Sequence, residues 1–259
     1  YDPWGGEIAE DKIYGRGSSD MLGGCAAVVA AACCIARKGW DANLGFMVIL
    51  VGDEEDINRG MRHLLSTHEL SADAVVVAEP TNMEICLGNR GYSSFTLETH
   101  GRPSHASRPW EGDNAIYKMA RAIVKLQEYA SNLSGVTDLF LGQATASVGM
   151  INGGIKLNTV PDYCYAELER RLLPGEKIEV IKKEIQDIAG DDCTVKERSF
   201  LPASLIDRQN NLVLVCESLI SDVLNKEPKT TVFSACTEAG LFSVNAGIPT
   251  LILGPGSIG

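Results

Sequence analysis

Four consecutive acids, Asp53 to Asp56, follow an apolar run and one glycine in the stretch VILVGDEED, residues 48 to 56. Neighbouring carboxylates repel one another and raise one another's pKa, so such a run after an apolar segment needs an explanation. Three explanations are open: a solvated turn, the acidic end of a nucleotide-binding strand, or a cation site with a catalytic base.

The nucleotide-binding interpretation requires a second motif that would hold phosphates. A Walker-type site pairs its acidic strand with a glycine-rich loop that ends in Gly-Lys-Ser or Gly-Lys-Thr. The glycine-rich candidate is GRGSSD at residues 15 to 20, which has neither that spacing nor the lysine. It is not a G-x-G-x-x-G dinucleotide motif either. The sequence therefore disfavours nucleotide binding.

Two further acids stand where a cation site can form. Asp20 precedes a predicted helix, and Glu79 directly follows the apolar run AVVVA. Ligands of an open α/β sheet bind beyond the carboxyl ends of its strands, so we expect Glu54, Glu55 and Glu79 to converge, with Asp20 beside them. Divalent cations make such a cluster tolerable. A solvated turn or helix cap explains any single acid, and for Asp20 alone it is the better explanation, but the set favours a site.

Apolar strands alternate with helical segments at both ends of the chain, which predicts a mostly parallel sheet flanked by helices. The predicted elements there are helix 24–38, strand 44–51, helix 57–70, strand 74–78, helix 211–224, strand 230–233, helix 238–245 and strand 249–253.

The middle of the chain follows the order β-α-β-β-α-β, which is typical of a split βαβ sandwich. Its predicted strands are 92–99, 144–151, 162–172 and 193–198, and its predicted helices are 114–130 and 176–188. We therefore predict a discontinuous α/β domain at residues 1–90 and 202–259. An α+β domain of the split-βαβ, ferredoxin-like type at 91–201 interrupts it.

Composition narrows the classes of partner. A formal net charge of -11 disfavours nucleic acid, which needs a basic protein face. The longest apolar run, residues 21–36, is shorter than the roughly 20 residues of a membrane span, and its alanines and glycines favour a close-packed helix. The eight cysteines show no zinc-like spacing and lie in apolar segments, so we expect reduced, core-packed thiols in a cytoplasmic protein.

Seven motifs, in order over nearly the whole chain, resemble the M20 family of metallopeptidases and amidohydrolases. The nearest branch is the acetylornithine deacetylase and succinyl-diaminopimelate desuccinylase group. The motifs are KIYGRGSSDMLGG, GDEE, AEPT, GRPSHASRPWEGDNAI, GGIKLNTVPD, ERRLLPGE and GIPTLILGPG. The resemblance implies a zinc-peptidase-like catalytic domain with an inserted lid and dimerisation domain.

The same resemblance implies two zinc ions, for which cobalt can substitute. It assigns Asp20 as the bridging ligand, Glu55 and Glu79 as ligands of one zinc each, and Glu54 as the general base. The family's two histidine ligands have no counterpart in this sequence, because the resemblance puts one before Tyr1 and the other beyond Gly259. The chain thus resembles the interior portion of the family, without both ends.

The resemblance also implies four residues for substrate. His105 in RPSHAS would stabilise the oxyanion in the active site of a dimer partner, and Asn158, Arg171 and the loop at Gly254 would bind substrate. An arginine fork suits a substrate carboxylate. From the residues alone, a surface-loop histidine is the better explanation of His105, whereas Arg171 is equally a strand-end salt bridge.

Two functional hypotheses follow. The first is a metal-dependent hydrolase that cleaves an amide bond of small N-acyl amino acids or short peptides, as a homodimer through the inserted domain, with no nucleic-acid or membrane partner. The second is a non-catalytic dimeric binding or scaffold protein of the same family, without a complete metal site.

Overall fold

The structure, a computed structural model, describes residues 1–39 and 45–258. Two compact units are present. Unit 1 combines residues 1–89 with the segment from Ser204 onward, and unit 2 spans Arg90–Ala203.

The described residues form strands, α-helices and a few short 3-10 or π turns. The strands are β1 (Glu7–Ala9), β2 (Lys12–Tyr14), β3 (Val75–Val77), β4 (Ile85–Asn89), β5 (Gly91–His100), β6 (Thr137–Asp138), β7 (Gly142–Gln143), β8 (Thr145–Gly153), β9 (Tyr163–Leu172), β10 (Cys193–Leu201), β11 (Ser204–Leu205), β12 (Thr230–Phe233) and β13 (Thr250–Ile252). The α-helices are α1 (Leu22–Lys38), α2 (Arg59–Thr67), α3 (Ala115–Asn132), α4 (Ile178–Ala189) and α5 (Asn211–Leu224). Short 3-10 helices cover Pro109–Glu111 and Leu133–Gly135, and a π-helical turn covers Leu241–Asn245.

Unit 2 is a four-stranded antiparallel sheet in the order β10-β5-β9-β8. Its chain order, β5-α3-β8-β9-α4-β10, is that of a split βαβ sandwich. With the mixed α/β unit described below, this confirms the predicted fold class.

The core of unit 2 follows directly from the periodicity of its sequence. Alternate residues of β5 point to one face, where Phe95 and Leu97 are fully buried. α4 adds Ile178, Ile181 and Ile185 at helical spacing, as predicted. α3 begins at Asn114, whose side chain accepts a hydrogen bond from the backbone N–H of Tyr117, as a helix N-cap does.

Unit 1 contains a five-stranded mixed sheet. β3 and β13 pair in parallel, β13 and β4 pair antiparallel, and β4 also pairs with parallel β12 and antiparallel β11. α5 packs on this sheet, and its Val213, Cys216 and Ile220 form a buried cluster with residues that include Ile85 and Leu251. This cluster anchors the strands whose ends carry the candidate site.

The predicted strand at 44–51 is wrong for the residues that the structure describes. Residues 45–51 form no strand, and Leu44 lies outside the described residues. Phe46, Met47 and Leu50 are 49%, 66% and 57% exposed. β-branched and apolar residues favour a strand, but a strand forms only where a neighbour takes its backbone N–H and C=O groups. The apolar pattern indicates a preference for strand conformation, but it does not identify a strand with which this segment would pair.

α1 differs from the predicted close-packed helix. Gly24 is its one buried residue, and Leu22 and Val29 are exposed. Cys33 and Cys34 are also exposed, which corrects the expectation that the cysteines pack in the core, although Cys86, Cys164, Cys193 and Cys216 do. Within the described ranges, every helix is too short or too polar to span a bilayer.

Candidate functional site

Glu79 lies beside the hydrogen bonds that join two loops of unit 1. The backbone N–H groups of Thr81 and Met83 both donate to the carbonyl of Gly254, and the N–H of Gly254 donates to the Thr81 hydroxyl at 3.1 Å. A Cβ on Gly254 would come within 2.5 Å of the carbonyl oxygens of Ala78 and Glu79. Only glycine therefore lets the GPG loop lie against the backbone of Glu79.

The loop that carries Asp20 is held to the same place. The Ser19 hydroxyl donates to the carbonyl of Ser257 at 2.6 Å, and the N–H of Ser257 donates back to that hydroxyl. At the start of α1, a Cβ on Gly24 would come within 2.0 Å of the Ala78 carbonyl oxygen. The hydroxyl of Ser19 joins the loop of Asp20 to the segment after Gly254. The missing side chains of Gly24 and Gly254 let both approach the backbone at Ala78 and Glu79.

The acids of this region interact electrostatically. Burial raises the pKa of Glu79 to about 8, and the charges of Glu54 and Asp20 add to the shift. A side-chain hydrogen bond joins Glu79 to Asp20. Burial likewise raises the pKa of Glu54 to about 7, with the charge of Glu238 as its second cause, ahead of Glu55 and Asp20. These carboxyls therefore hold protons near neutral pH in the absence of a cation.

The acid run itself divides into two groups. Asp53 forms a two-pronged ion pair with Arg59, with both N···O distances at 2.9 Å, and this hydrogen bonding lowers the pKa of Asp53 to about 2. Asp56 lies 3.5 Å from the same guanidinium. Glu54 is half-buried and Glu55 exposed. Arg59 therefore pairs with Asp53 and Asp56, and it does not pair with Glu54 or Glu55, which are the candidates for proton transfer and metal binding.

Asn58 and Glu238 also belong to this group, and the sequence predicted a role for neither. Asn58 is fully buried in left-handed backbone (φ 55°), and its side-chain N–H donates to the carbonyl of Glu54 at 3.1 Å. The same side chain is hydrogen-bonded to Glu238. Burial raises the pKa of Glu238, whereas this hydrogen bond from Asn58 lowers it. The motif CTEAG at residues 236–240 was the available signal for Glu238, and Asn58 had none.

The donor chemistry of the group suits a divalent cation in part. Carboxylate oxygens are ligands for such ions, and the Oε1 atom of Glu238 is buried without a hydrogen-bond partner. Yet across residues 1–39 and 45–258, no three histidine, cysteine, aspartate or glutamate side chains converge into a metal-binding group. The described acids supply oxygen donors and negative charge, but not a closed coordination shell.

Unit 2 brings His105 and Asn158 together. Their loops lie antiparallel, with a bridge between His105 and Thr159, and the N–H of Ala106 donates to the Asn158 carbonyl at 3.0 Å. The ring of His105 contacts Ser107, and both residues are exposed. Asn158 is exposed as well.

Arg171 lies elsewhere on the sheet of unit 2. Its guanidinium donates to Glu169 at 2.6 Å and lies over the ring of Tyr92, 5.2 Å from the centroid. Arg171 pairs with Tyr92 near the end of β9, whereas Asp162, just before β9, bonds to the loop that leads to His105. At about 3.3 Å per residue these positions are roughly 30 Å apart. The structure therefore separates Arg171 from His105 and Asn158 within one chain.

Comparisons with known proteins show which families and structures the chain resembles. Residues 87–195 match the family model of the peptidase dimerisation domain of M20 proteins. The acetylornithine deacetylase of Buchnera aphidicola is 28% identical over 264 residues, which cover 99% of this chain and 68% of that protein. These matches support an M20 assignment for the chain. M20 is a family of metallopeptidases and amide-bond hydrolases.

Other similar proteins extend the likeness. The Escherichia coli protein YgeY is 33% identical over 189 residues, covering 72% of this chain and 46% of that protein. Among solved structures, an M20 metallo-carboxypeptidase of Sulfolobus solfataricus has a TM-score of 0.74 at 19% identity, covering 97% of this chain and 71% of that one. A Staphylococcus aureus tripeptidase has a TM-score of 0.73 at 21% identity, covering 96% of this chain and 67% of that one. At these identities, the two structures support the shared fold.

Proposed function

We propose that the chain forms the catalytic and dimerisation parts of a dinuclear-metal amidohydrolase of the cytoplasm, which cleaves N-acyl amino acids or short peptides. Unit 1 is the catalytic domain and unit 2 the lid and dimerisation domain. The observation that carries the proposal is the electrostatic coupling of the buried Glu79, the half-buried Glu54 and the exposed Asp20, whose negative charge raises the pKa of both glutamates. Their mutual repulsion is what a bound cation relieves.

The proposed metal ligands are Asp20 between two zinc ions, with Glu55 and Glu79 on one ion each. Bound zinc or cobalt would supply Lewis-acid polarisation of the scissile carbonyl and a lowered pKa for a nucleophilic water. Carboxylates alone bind zinc weakly compared with sites that include imidazole. Histidine ligands from elsewhere in the protein are therefore part of the proposal.

Glu54 is the proposed general base. A base works best when its pKa lies near the working pH. In the metal-free chain, burial raises the pKa of Glu54 to about 7, and a bound cation would lower it from there. Asn58 supports this role, because its amide holds the backbone at Glu54 and also bonds Glu238, the second cause of that pKa shift. Asn58 thereby holds the backbone that carries the accepting carboxylate.

Substrate contacts are proposed to come from two subunits. Arg171 lies roughly 30 Å along the sheet from the end that leads to His105 and Asn158. One small substrate therefore cannot contact both ends. A homodimer resolves this if His105 and Asn158 serve a partner's site, where His105 donates to the oxyanion. The fork of Arg171 and the Gly254 loop are the other proposed substrate contacts. The match to a dimerisation domain supports the same assembly.

The interface is proposed to include the edge strand β8. Among the described strands, β8 has one neighbour in its sheet, β9, and its Met150 and Ile151 are 59% and 53% exposed. An open apolar edge favours pairing with a second copy. Light scattering on the full-length protein should give a dimer, and Ile151→Lys should shift it toward the monomer. A monomeric wild type would contradict a role for His105 in a partner's site.

Hydrolysis is the test of the function. The full-length protein, with zinc or cobalt, should cleave at least one member of a panel of N-acetyl amino acids, N-succinyl amino acids and dipeptides. Glu54→Gln should lower kcat by about 10²- to 10⁴-fold with metal content unchanged. The neighbouring Asp53→Asn is the control and should leave most activity, because Asp53 is engaged with Arg59. No hydrolysis of any substrate would instead favour the non-catalytic scaffold.

A further inference from the structure

The ring of His105 is fixed at one of its two nitrogens. Nδ1 lies 2.7 Å from the Ser107 hydroxyl oxygen, and the backbone N–H of Ser107 donates to the same Nδ1 at 3.2 Å. A backbone amide can only donate, so Nδ1 must accept and cannot carry a proton in this arrangement. In a neutral imidazole one nitrogen is protonated and the other is an acceptor, so the proton lies on Nε2.

This assignment also settles the direction of the hydroxyl bond. A serine hydroxyl beside a histidine nitrogen can donate or accept, and the contact alone does not decide between them. Because the amide already requires Nδ1 to be an acceptor, the hydroxyl of Ser107 donates as well. Two donors from one residue therefore converge on Nδ1, and Nε2 is the ring nitrogen left for other contacts.

The backbone around the ring is held independently of Ser107's side chain. The N–H of Arg108 donates to the His105 carbonyl at 2.8 Å, and the N–H of Val160 donates to the Ser104 carbonyl at 2.8 Å. The Ser104 hydroxyl donates to the Arg108 carbonyl at 3.2 Å and makes no contact with the imidazole. Ser104 and Ser107 thus share a loop but differ in what their hydroxyls contact.

We propose that Ser107 is a positioning residue that fixes His105 in its Nε2–H tautomer, so that Nε2–H is the donor presented to the substrate oxygen. The inference rests on the proposed function of His105 for its catalytic meaning, but the tautomer is a property of this loop alone. It assigns the oxyanion contact to one atom and rules out Nδ1 as a donor or a metal ligand.

The tautomer can be read directly by NMR. Histidine-labelled protein, studied about two pH units above the usual histidine pKa, gives ring nitrogen shifts that distinguish a protonated from an unprotonated Nδ1. His105→Gln identifies the signals. We expect the wild type to show the Nε2–H form. Ser107→Ala should raise the Nδ1–H fraction about two- to tenfold, the factor that one net hydrogen bond represents.

Two further variants make the result specific. Ser104→Ala should leave the tautomer ratio unchanged, and Ser107→Thr, which keeps the hydroxyl, should restore the wild-type ratio. A wild type with Nδ1 protonated, or a Ser107→Ala ratio equal to that of the wild type, would overturn the inference.

Kinetics separates this inference from the proposed function. In the full-length enzyme, Ser107→Ala should lower kcat with little change in KM, and Ser107→Thr should recover the loss. An unaltered kcat in Ser107→Ala, with hydrolysis intact, would overturn the positioning role. If the wild type hydrolyses nothing, the proposed function fails, and the tautomer ratios alone decide the structural claim.

Discussion

The two units differ in which side chains they bury. Unit 2 buries apolar side chains from β5, β9, β10, α3 and α4, and its polar sheet face is paired, as in the Lys196–Glu98 and Arg198–Glu167 ion pairs. Unit 1 leaves α1 and residues 45–51 largely exposed, and it buries carboxyls that repel one another. The contrast predicts that unit 2 contributes more to stability, and it is consistent with the proposed binding role of unit 1.

The largest expected effect tests the stability of unit 2. Phe95 is fully buried in its core, so Phe95→Ala should lower the free energy of unfolding by about 3–5 kcal/mol. Thr194→Ala, at an exposed position of the neighbouring strand β10, should change it by less than about 0.5 kcal/mol. Urea unfolding measures both. A Phe95→Ala cost below about 1 kcal/mol would remove the contrast between the units.

A pair of adjacent glycines tests how α1 supports the acids. Gly24→Ala should destabilise unit 1 by about 1–3 kcal/mol or more, because the new Cβ would meet the Ala78 carbonyl at 2.0 Å. Gly23→Ala meets only an ordinary contact at 3.4 Å and should be neutral or stabilising, since alanine favours helix. Thermal unfolding compares them. Equal effects would show that the close approach of α1 to Ala78 is not required.

The buried amide at Asn58 gives the next effect. Asn58→Ala should cost about 1–3 kcal/mol, because the Glu54 carbonyl and Glu238 lose their donor. Asn58→Gly removes the same amide but suits the left-handed backbone, so it should cost less than alanine. Chemical denaturation of both variants separates the two causes. A glycine variant as stable as the wild type would show that the amide does not hold this loop.

The last expected effect is a slope of stability with pH. The pKa of Glu79 rises from an ordinary 4.5 to about 8 on folding, so the folded chain retains a proton that the unfolded chain releases. Stability from this group is full below pH 4.5 and is lost as the pH rises through about 8, at no more than about 1.4 kcal/mol per pH unit. Glu79→Gln should flatten the slope of the metal-free chain, and the exposed Glu69→Gln should not. An unchanged slope in Glu79→Gln would contradict the burial of this acid as a carboxyl.

The sequence predicted the elements whose pattern is local. The isoleucines of α4 repeat at helical spacing and β5 alternates, so unit 2 followed from periodicity. The segment 44–51 carried an equally apolar pattern, but its pairing depends on a neighbour that no local pattern reports. Ser107 and Asn58 act through hydrogen bonds set by loop conformation, which spacing along the chain does not reveal.

The sequence likewise predicted only part of the candidate site. The acids at Asp20, Glu54 and Glu79 followed from their positions at the ends of apolar runs. The separation of Arg171 from His105 and Asn158 depends on strand length and register. The division of the acid run depends on Arg59, a residue that no motif marked.

Zinc binding by the acids of unit 1 tests the central claim most directly. The thermal midpoint of the full-length protein should rise when zinc is added, because binding at a free zinc concentration of about 100 times Kd adds about 2.7 kcal/mol to the free energy of unfolding. Asp20→Asn and Glu79→Gln should abolish most of this rise, whereas Glu69→Gln should preserve it. A wild-type midpoint that zinc does not move, or one that moves equally in all three variants, would contradict the claim that these carboxylates hold a cation.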